Sequence, residues 1–184
     1  MRRVILGSVL MLAACSGQQG GGNATANGAS ASGGTTGSAT ASSLNLIDAC
    51  AALPRERVAE AFGQPVQTAE LKDVMTDTGN GMSSSRCVYD LGDIRLITLN
   101  LERFPNGADM TAIFTGTRSL VSKNGAEPVE DVPGLGERAF WVAGSKDLYI
   151  MLDDNRQIVL STARLPETVD SKPALISLAR TILG

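Results

Sequence analysis

The chain has 184 residues, with 16 Lys and Arg against 19 Asp and Glu, and no histidine. The absence of histidine excludes Ser-His-Asp and Cys-His nucleophiles, a histidine general base and histidine metal ligands. The net charge of −3 comes without any run of Lys or Arg, so the charge pattern of a nucleic-acid-binding protein is missing and we expect no nucleic-acid partner.

Residues 1–14 have the three zones of a secretory signal peptide. Arg2 and Arg3 precede an apolar run that ends in small residues, and this run is shorter than the about 20 residues that a transmembrane helix needs. Its end, Leu12-Ala-Ala-Cys15, resembles the lipobox of bacterial lipoproteins. The resemblance implies that Cys15 receives a diacylglyceryl group and becomes the N-terminus after cleavage. The alternative is an ordinary signal peptide that happens to end near a cysteine.

A lipidated Cys15 makes the lipid bilayer the first expected partner, because two or more acyl chains anchor a protein stably. In lipoproteins that this one resembles, a non-acidic residue such as Ser16 is compatible with sorting to an outer membrane. We therefore expect a lipid-anchored protein of the cell envelope that faces the periplasm or the exterior, with the outer membrane favoured.

Residues 15–43 predict a disordered tether. After Cys15 they are almost entirely Gly, Ser, Ala, Thr, Asn and Gln, without charge or aromatic rings, so they cannot bury enough apolar surface to fold. Gly-rich chain statistics place the following domain on the order of 30 Å from the bilayer. The remainder, 44–184, has the size of a single domain.

Three helices are predicted in this domain. The first runs from Pro54 to Gly63, with Pro at its start and Gly at its stop. The second covers 109–123, where apolar residues recur on one face and Gly125 follows. The third covers 173–183, with Ser171 as the candidate N-cap.

A period of two between the helices predicts strands. Residues 94–103 alternate apolar and polar side chains, and Gly92-Asp93 predicts a tight hairpin with the preceding strand, 86–91. Further strands are predicted at 137–143, 148–152 and 157–163. The order helix, strands, helix, strands, helix predicts an α+β domain, an antiparallel sheet of about five to seven strands covered by three helices. Each half opens with a helix and continues into a meander, which suggests a pseudo-duplication.

Two cysteines, Cys50 and Cys87, remain in the exported domain, and their even number predicts a disulfide. Closing a loop of this length stabilises a domain by roughly 4 kcal/mol in the loop-entropy treatment. Two buried free thiols and a redox pair are the alternatives, although the wide separation is unlike the C-x-x-C arrangement of exchange-active thiols.

A loose set of positions resembles a pattern in small envelope lipoproteins of unassigned function and in cysteine-paired extracytoplasmic sensor domains of actinobacteria. The pattern begins with a cysteine and continues with Leu53-Pro54, Val58, Phe62-Gly63, Cys87-Val-Tyr89, Val132-Pro-Gly-Leu-Gly136 and Ala139. The resemblance implies binding or sensing and supplies no catalytic residue.

Without histidine, paired carboxylates are the remaining route to hydrolysis, as in glycosidases. The candidates are Asp90, Asp93, Glu102, Asp153 and Asp154. Most lie at predicted turns or on an exposed strand face, where solvation explains them. We therefore predict a protein that is not an enzyme and that has no cofactor or metal site, with a cell-wall glycan hydrolase as an alternative.

Residues 72–85 are interpreted as a mobile loop tethered by Cys87. They resemble a calcium loop in composition, but the ligand register fails. Because loops often carry recognition, Asp77, Asn80 and Met82 are candidate interface residues. Trp141 is a fourth, since it and its strand neighbour point to opposite faces and one of them is free to be exposed. These features predict a non-catalytic binding or assembly domain with an envelope protein as partner, or alternatively a small-ligand sensor with an apolar pocket.

Overall fold

The computed structural model describes residues 48–184 except 78, 80 and 125–127. The lipobox, the tether, Asn80 and Gly125 therefore lie outside the described residues. The described part contains four helices and seven strands, in the chain order α1 Ala49–Ala52, α2 Arg55–Phe62, β1 Thr68–Met75, β2 Ser83–Asp90, β3 Leu96–Arg103, α3 Met110–Asn124, β4 Val129–Asp131, β5 Arg138–Val142, β6 Asp147–Asp153, β7 Arg156–Ala163 and α4 Ser171–Leu183.

All seven strands form one antiparallel sheet in the order β1-β2-β3-β7-β6-β5-β4. Two meanders, β1 to β3 and β4 to β7, join at the centre of the sheet, where Ile97 of β3 faces Thr162 of β7 and Leu101 faces Ile158. The α+β class and the antiparallel sheet predicted from the sequence are confirmed. The strands β1 and β4 form the two edges of the sheet.

The helices pack on opposite faces of the sheet. The main core lies between one face and α1, α2 and α4, and it buries Leu53, Val58 and Leu175 against alternate residues of the central strands. On the other face α3 packs against the end formed by β4, β5 and β6. There the ring of Phe114 meets Phe140 edge-on, with ring centroids 4.8 Å apart. A duplication of a helix-and-meander unit would place the two opening helices, α2 and α3, on equivalent faces. They lie on opposite faces, so the fold does not confirm the predicted duplication.

The ends of α2 and α4 follow from local capping. Gly63 ends α2 with a left-handed φ of 65° and donates to the carbonyls of the preceding turn, as predicted. The helix α4 begins two residues before the predicted Pro173. Ser171 is not its N-cap but a buried residue of its first turn, and Asp170 caps the helix by accepting from the Lys172 N–H at 3.2 Å.

The described part has a fourth helix that the sequence did not indicate, the single turn α1. Asp48 caps it by accepting from the Ala51 N–H at 3.0 Å. Cys50 of α1 forms a disulfide with Cys87 of β2, with a Cα–Cα distance of 5.0 Å. The predicted pairing is confirmed, and the free-thiol alternative is excluded. A helix of one turn is unstable alone, so the cross-link and the core hold α1 in place.

Candidate interaction surface

The longer edge of the sheet is strand β1. It pairs with β2 from Thr68↔Asp90 to Met75↔Ser84, and no described strand pairs with its outer side. The opposite edge, β4, has only three residues. An edge strand presents a row of backbone N–H and C=O groups to which another strand can bind. The eight residues of β1 therefore form the main template for strand addition in the described part of the chain.

Strand β1 also carries exposed apolar side chains. Leu71 is 40% exposed, Val74 45% and Met75 38%, whereas the other two exposed large apolar residues of the described chain, Ile94 and Leu120, lie elsewhere. Single exposed apolar residues are ordinary, but three on one open edge are a liability for aggregation unless something covers them. We define the edge surface as the outer side of β1 with these three side chains.

Charges and a bulge accompany the edge surface. Lys72 forms an ion pair with Glu70 at 2.6 Å, and this hydrogen bond and the attraction of the carboxylate raise the pKa of Lys72. The register with β2 shifts between Lys72 and Met75, and Asp73 there has a φ of 50° and pairs with Arg86 at 3.0 Å. Edge charges and bulges are devices that limit unspecific strand pairing. These features therefore limit unspecific strand pairing at the edge surface.

The prediction that residues 72–85 form a single loop is wrong. Residues up to Met75 belong to β1 and residues from Ser83 belong to β2, so the connecting loop covers 76–82. Pairing with β2 makes residues 72–75 a strand, although the charges and glycines of the segment favour a loop. Within the loop, Asp77 accepts from the N–H groups of Gly79 and Gly81, each at 2.8 Å.

The predicted interface residues separate into two places. Asp77 and half-buried Met82 lie in the loop that continues the edge surface, and Asn80 lies outside the described residues. Trp141 is distant from them on β5 and is only 5% exposed, packed in the main core. Phe140 on the opposite face is fully buried as well. The prediction that one of these two rings is exposed is therefore wrong, because Trp141 packs in the main core and Phe140 packs against Phe114 of α3.

The candidate carboxylates for hydrolysis lie at two ends of the sheet. Asp90 ends β2 and Asp93 lies in the β2–β3 turn, while Glu102 of β3 and Asp153 of β6 lie at the opposite end of the sheet. An eight-residue strand at about 3.3 Å per residue separates these ends by roughly 20 Å. Glycosidases need two carboxylates about 5 to 9.5 Å apart, so a pair taken from opposite ends is excluded.

The end of the sheet that carries Asp153 contains a surface depression of about 320 Å³. Its lining includes Asp109, Glu137, Asp153 and Asp154. Partial burial acts to raise the pKa of Asp153, but hydrogen bonds from Arg156 and Asn155 outweigh it and lower that pKa below its ordinary value. Asp109 accepts from the Ala112 N–H at the start of α3. A general acid needs a raised pKa, so Asp153 is unsuited to that role.

Two further depressions have the wrong lining for a small apolar ligand. One of about 240 Å³ is bordered by Arg118, Asp131, Glu137 and Arg138, and Arg118 pairs with Asp131 at 2.9 Å. The other, of about 310 Å³, lies between Trp141 and the loop before α4. Ligand pockets of sensor domains are typically enclosed and mostly apolar. Neither depression favours the sensor alternative over binding at the edge surface.

Sequence reasoning did not name Leu71, Val74 or Met75 as interface residues, and it placed Val74 and Met75 in a loop instead of a strand. The available signal was the alternation of Ala69 and Leu71 with polar residues, but the bulge breaks this pattern after Lys72. No family model matches the chain, and no curated protein matches it. The fold and the edge surface together define an α+β domain with a disulfide and one long open strand. No helix in the described residues is long and apolar enough to cross a membrane.

Proposed function

We propose that the protein is a lipid-anchored lipoprotein of the cell envelope whose α+β domain is a non-catalytic assembly module. Lipidated Cys15 holds it in the bilayer of the outer membrane, and the domain binds an envelope protein through β1. The observation that carries this proposal is the edge surface, where Leu71, Val74 and Met75 are exposed beside backbone groups that no described strand pairs.

The disulfide supports the proposed compartment. Disulfides form and persist in oxidising environments such as the periplasm and the cell surface, and they are rare in the cytosol. The bond between Cys50 and Cys87 therefore agrees with the export that residues 1–14 predict.

The proposed binding mode is the addition of a strand to β1. An added strand gains affinity from main-chain hydrogen bonds and specificity from the contacts of alternate side chains. On β1, Leu71 lies on the same face as Cys87, its partner in β2, whereas Glu70 and Lys72 lie on the other face. A partner strand thus meets an apolar side chain on one face and charges on the other.

The described chain enters the domain beside the edge surface. The described chain begins at Asp48, and Cys50 is bonded to Cys87, directly beside Leu71 in the β1–β2 ladder. The segment that leads from Cys15 therefore joins the domain one strand away from β1. Partners held in the same membrane are the natural candidates for this edge.

The test is site-specific photo-crosslinking of the full-length protein in its own envelope. A photoreactive residue replaces Val74 on the edge surface, and in the matched control it replaces Leu120, which is 59% exposed on α3. We expect a discrete protein adduct from position 74 and none from position 120. Equal adducts from both positions, or no protein adduct from position 74, would refute assembly through β1.

A further inference from the structure

The sequence of β1 is complementary to itself around Leu71. When two copies of a strand pair antiparallel about a two-fold axis through one residue, the positions on either side face each other in the other copy. With the axis at Leu71, Glu70 faces Lys72 of the second copy and Lys72 faces Glu70 of the second copy. We propose that β1 pairs with β1 of a second copy in this register. The inference rests on the proposed function and names its partner as another molecule of this chain.

The two faces of the strand fit this pairing. Glu70 pairs with Val88 and Lys72 with Arg86, so both charges lie on one face, while Leu71 lies with Cys87 on the other. Residues directly opposite in an antiparallel pair have Cβ atoms about 4.5–5.5 Å apart. The two Leu71 side chains, each 40% exposed in the single chain, therefore cover one another on the face that carries α1, α2 and α4.

The charges select the register. Moving the axis to Glu70 places two carboxylates opposite each other, and moving it to Lys72 places two ammonium groups opposite each other. Like charges directly opposite destabilise a strand pair, whereas opposite charges stabilise it. Within one chain Lys72 already contacts Glu70 at 2.6 Å, and both are about half exposed. Pairing across the axis therefore exchanges the two solvated ion pairs within the copies for two cross-strand pairs without burying an isolated charge.

The bulge limits the strength of the association. About an axis at Leu71, regular pairing is available only from Glu70 to Lys72, because Ala69 and Thr68 face Asp73 and Val74 of the second copy, where the register with β2 shifts and Asp73 has a positive φ. Stable dimers bury about 1,200–2,000 Å² in total, more than so short a ladder provides. Molecules anchored in one membrane meet at a raised effective concentration, which favours a weak contact. The dimer is accordingly a membrane-dependent contact between anchored copies.

The experiment uses full-length lipidated chains with two different C-terminal tags, co-expressed and photo-crosslinked in intact membranes before they are extracted in mild detergent. The amount of one tag that co-purifies with the other is measured for the unchanged chain and for variants at two positions. Glu70→Lys in both copies faces Lys with Lys, and Lys72→Glu in both copies faces Glu with Glu. From the usual strength of cross-strand charge pairs we expect each variant to associate roughly tenfold more weakly.

The decisive sample mixes the two variants. Glu70→Lys in one copy and Lys72→Glu in the other restore opposite charges at both positions, although neither chain retains its internal Glu70–Lys72 pair. We expect association to recover to the level of the unchanged chain, which also shows that both variants fold. Glu167→Lys, an exposed change of the same charge outside β1, is expected to leave association unaffected.

Two results overturn the inference. One is that unchanged chains do not co-purify, and the other is that the mixed variants associate no better than each variant with itself. Neither result touches the proposed function, which fails if the photoreactive residue at position 74 captures no protein in the envelope or captures no more than the residue at position 120. A capture of a different protein from position 74, together with absent self-association, keeps the assembly role and removes the second copy as its partner.

Discussion

At the scale of single residues, Tyr89 connects the sheet to the chain segment before α2. Its side chain is fully buried, and its hydroxyl donates to the Leu53 carbonyl at 2.6 Å. Burial, with a smaller contribution from the charge of Asp48, raises the pKa of Tyr89 well above its ordinary value. The folded state therefore resists deprotonation of this group, whereas the unfolded chain titrates near pH 10.

Tyr89→Phe should lower the free energy of unfolding by about 1–2 kcal/mol at pH 7, because the buried Leu53 carbonyl loses its donor. A raised folded-state pKa contributes stability that is present below pH 10 and is lost as the pH rises further. We thus expect the variant to lose less stability than the unchanged protein between pH 9 and 11. Urea unfolding at each pH measures both effects. Equal alkaline losses in the two proteins would contradict this role for Tyr89.

Ile94 occupies the turn between β2 and β3 in an unfavourable backbone conformation. The Arg95 N–H donates to the Gly92 carbonyl at 3.1 Å, and both central residues, Asp93 and Ile94, have positive φ values of 52° and 59°. A type I′ turn needs these signs and favours Asp-Gly. A β-branched residue is strained there, and Ile94 is 63% exposed, so it gains little from packing.

Ile94→Gly should therefore raise the free energy of unfolding by about 1 kcal/mol, since relief of strain outweighs the added freedom of the unfolded chain. Ile94→Val keeps the branched Cβ and should change it by less than about 0.5 kcal/mol. Thermal or urea unfolding of the three proteins distinguishes them. A destabilised glycine variant would mean that the Ile94 side chain makes a contact that its exposure does not indicate.

At the scale of elements, the disulfide joins the least independent helix to the sheet. Replacing Cys50 and Cys87 together by Ala opens a loop with a sequence separation of 37 residues, and loop-closure entropy predicts a loss of about 4 kcal/mol in the free energy of unfolding. Urea unfolding under non-reducing conditions measures the loss. The unchanged protein, treated with a reductant, should fall to a similar stability. A loss below about 1 kcal/mol in both would show that packing alone holds α1.

Elements with local signals were predictable, and elements that depend on distant contacts were not. The helices α2, α3 and α4 carry an apolar stripe, and the first of them also has Pro54 and Gly63 at its ends. The helix α1 has four residues and depends on a cross-link to β2. Strand β4 has three residues and is defined by its pairing with β5. Such elements have too few residues to show a period.

The candidate site was predictable in position but not in structure. The neighbourhood of Asp77 and Met82 was identified from its composition, and it adjoins the edge surface. Strand β1 itself was hidden, because the bulge at Asp73 interrupts its alternation and because only the order of the strands shows which one is an edge. Trp141 was misassigned for the related reason that helix placement on two faces is a tertiary property.

At the scale of the whole molecule, the proposed lipid anchor and the proposed strand pairing at the edge surface depend on each other. A strand pairing limited to about three residues is weak between dissolved molecules, but the proposed anchor would confine the partners to one surface. The disulfide holds β2, on which β1 is paired, because Cys87 is the partner of Leu71 in the β1–β2 ladder. Loss of the anchor should therefore weaken assembly even when the domain is folded.

Cys15→Ser separates these two contributions. Because the proposed acyl acceptor is the Cys15 sulfur, the variant should remain an uncut precursor without acyl label, detected by its larger mass and by labelling with a fatty-acid analogue. Its domain should still contain the Cys50–Cys87 disulfide, and its self-association should fall, since copies without acyl chains lose the stable anchor that raises their effective concentration. The paired change of Cys50 and Cys87 to Ala is the control and should keep the acyl label. Acyl labelling that persists in Cys15→Ser would place the anchor elsewhere.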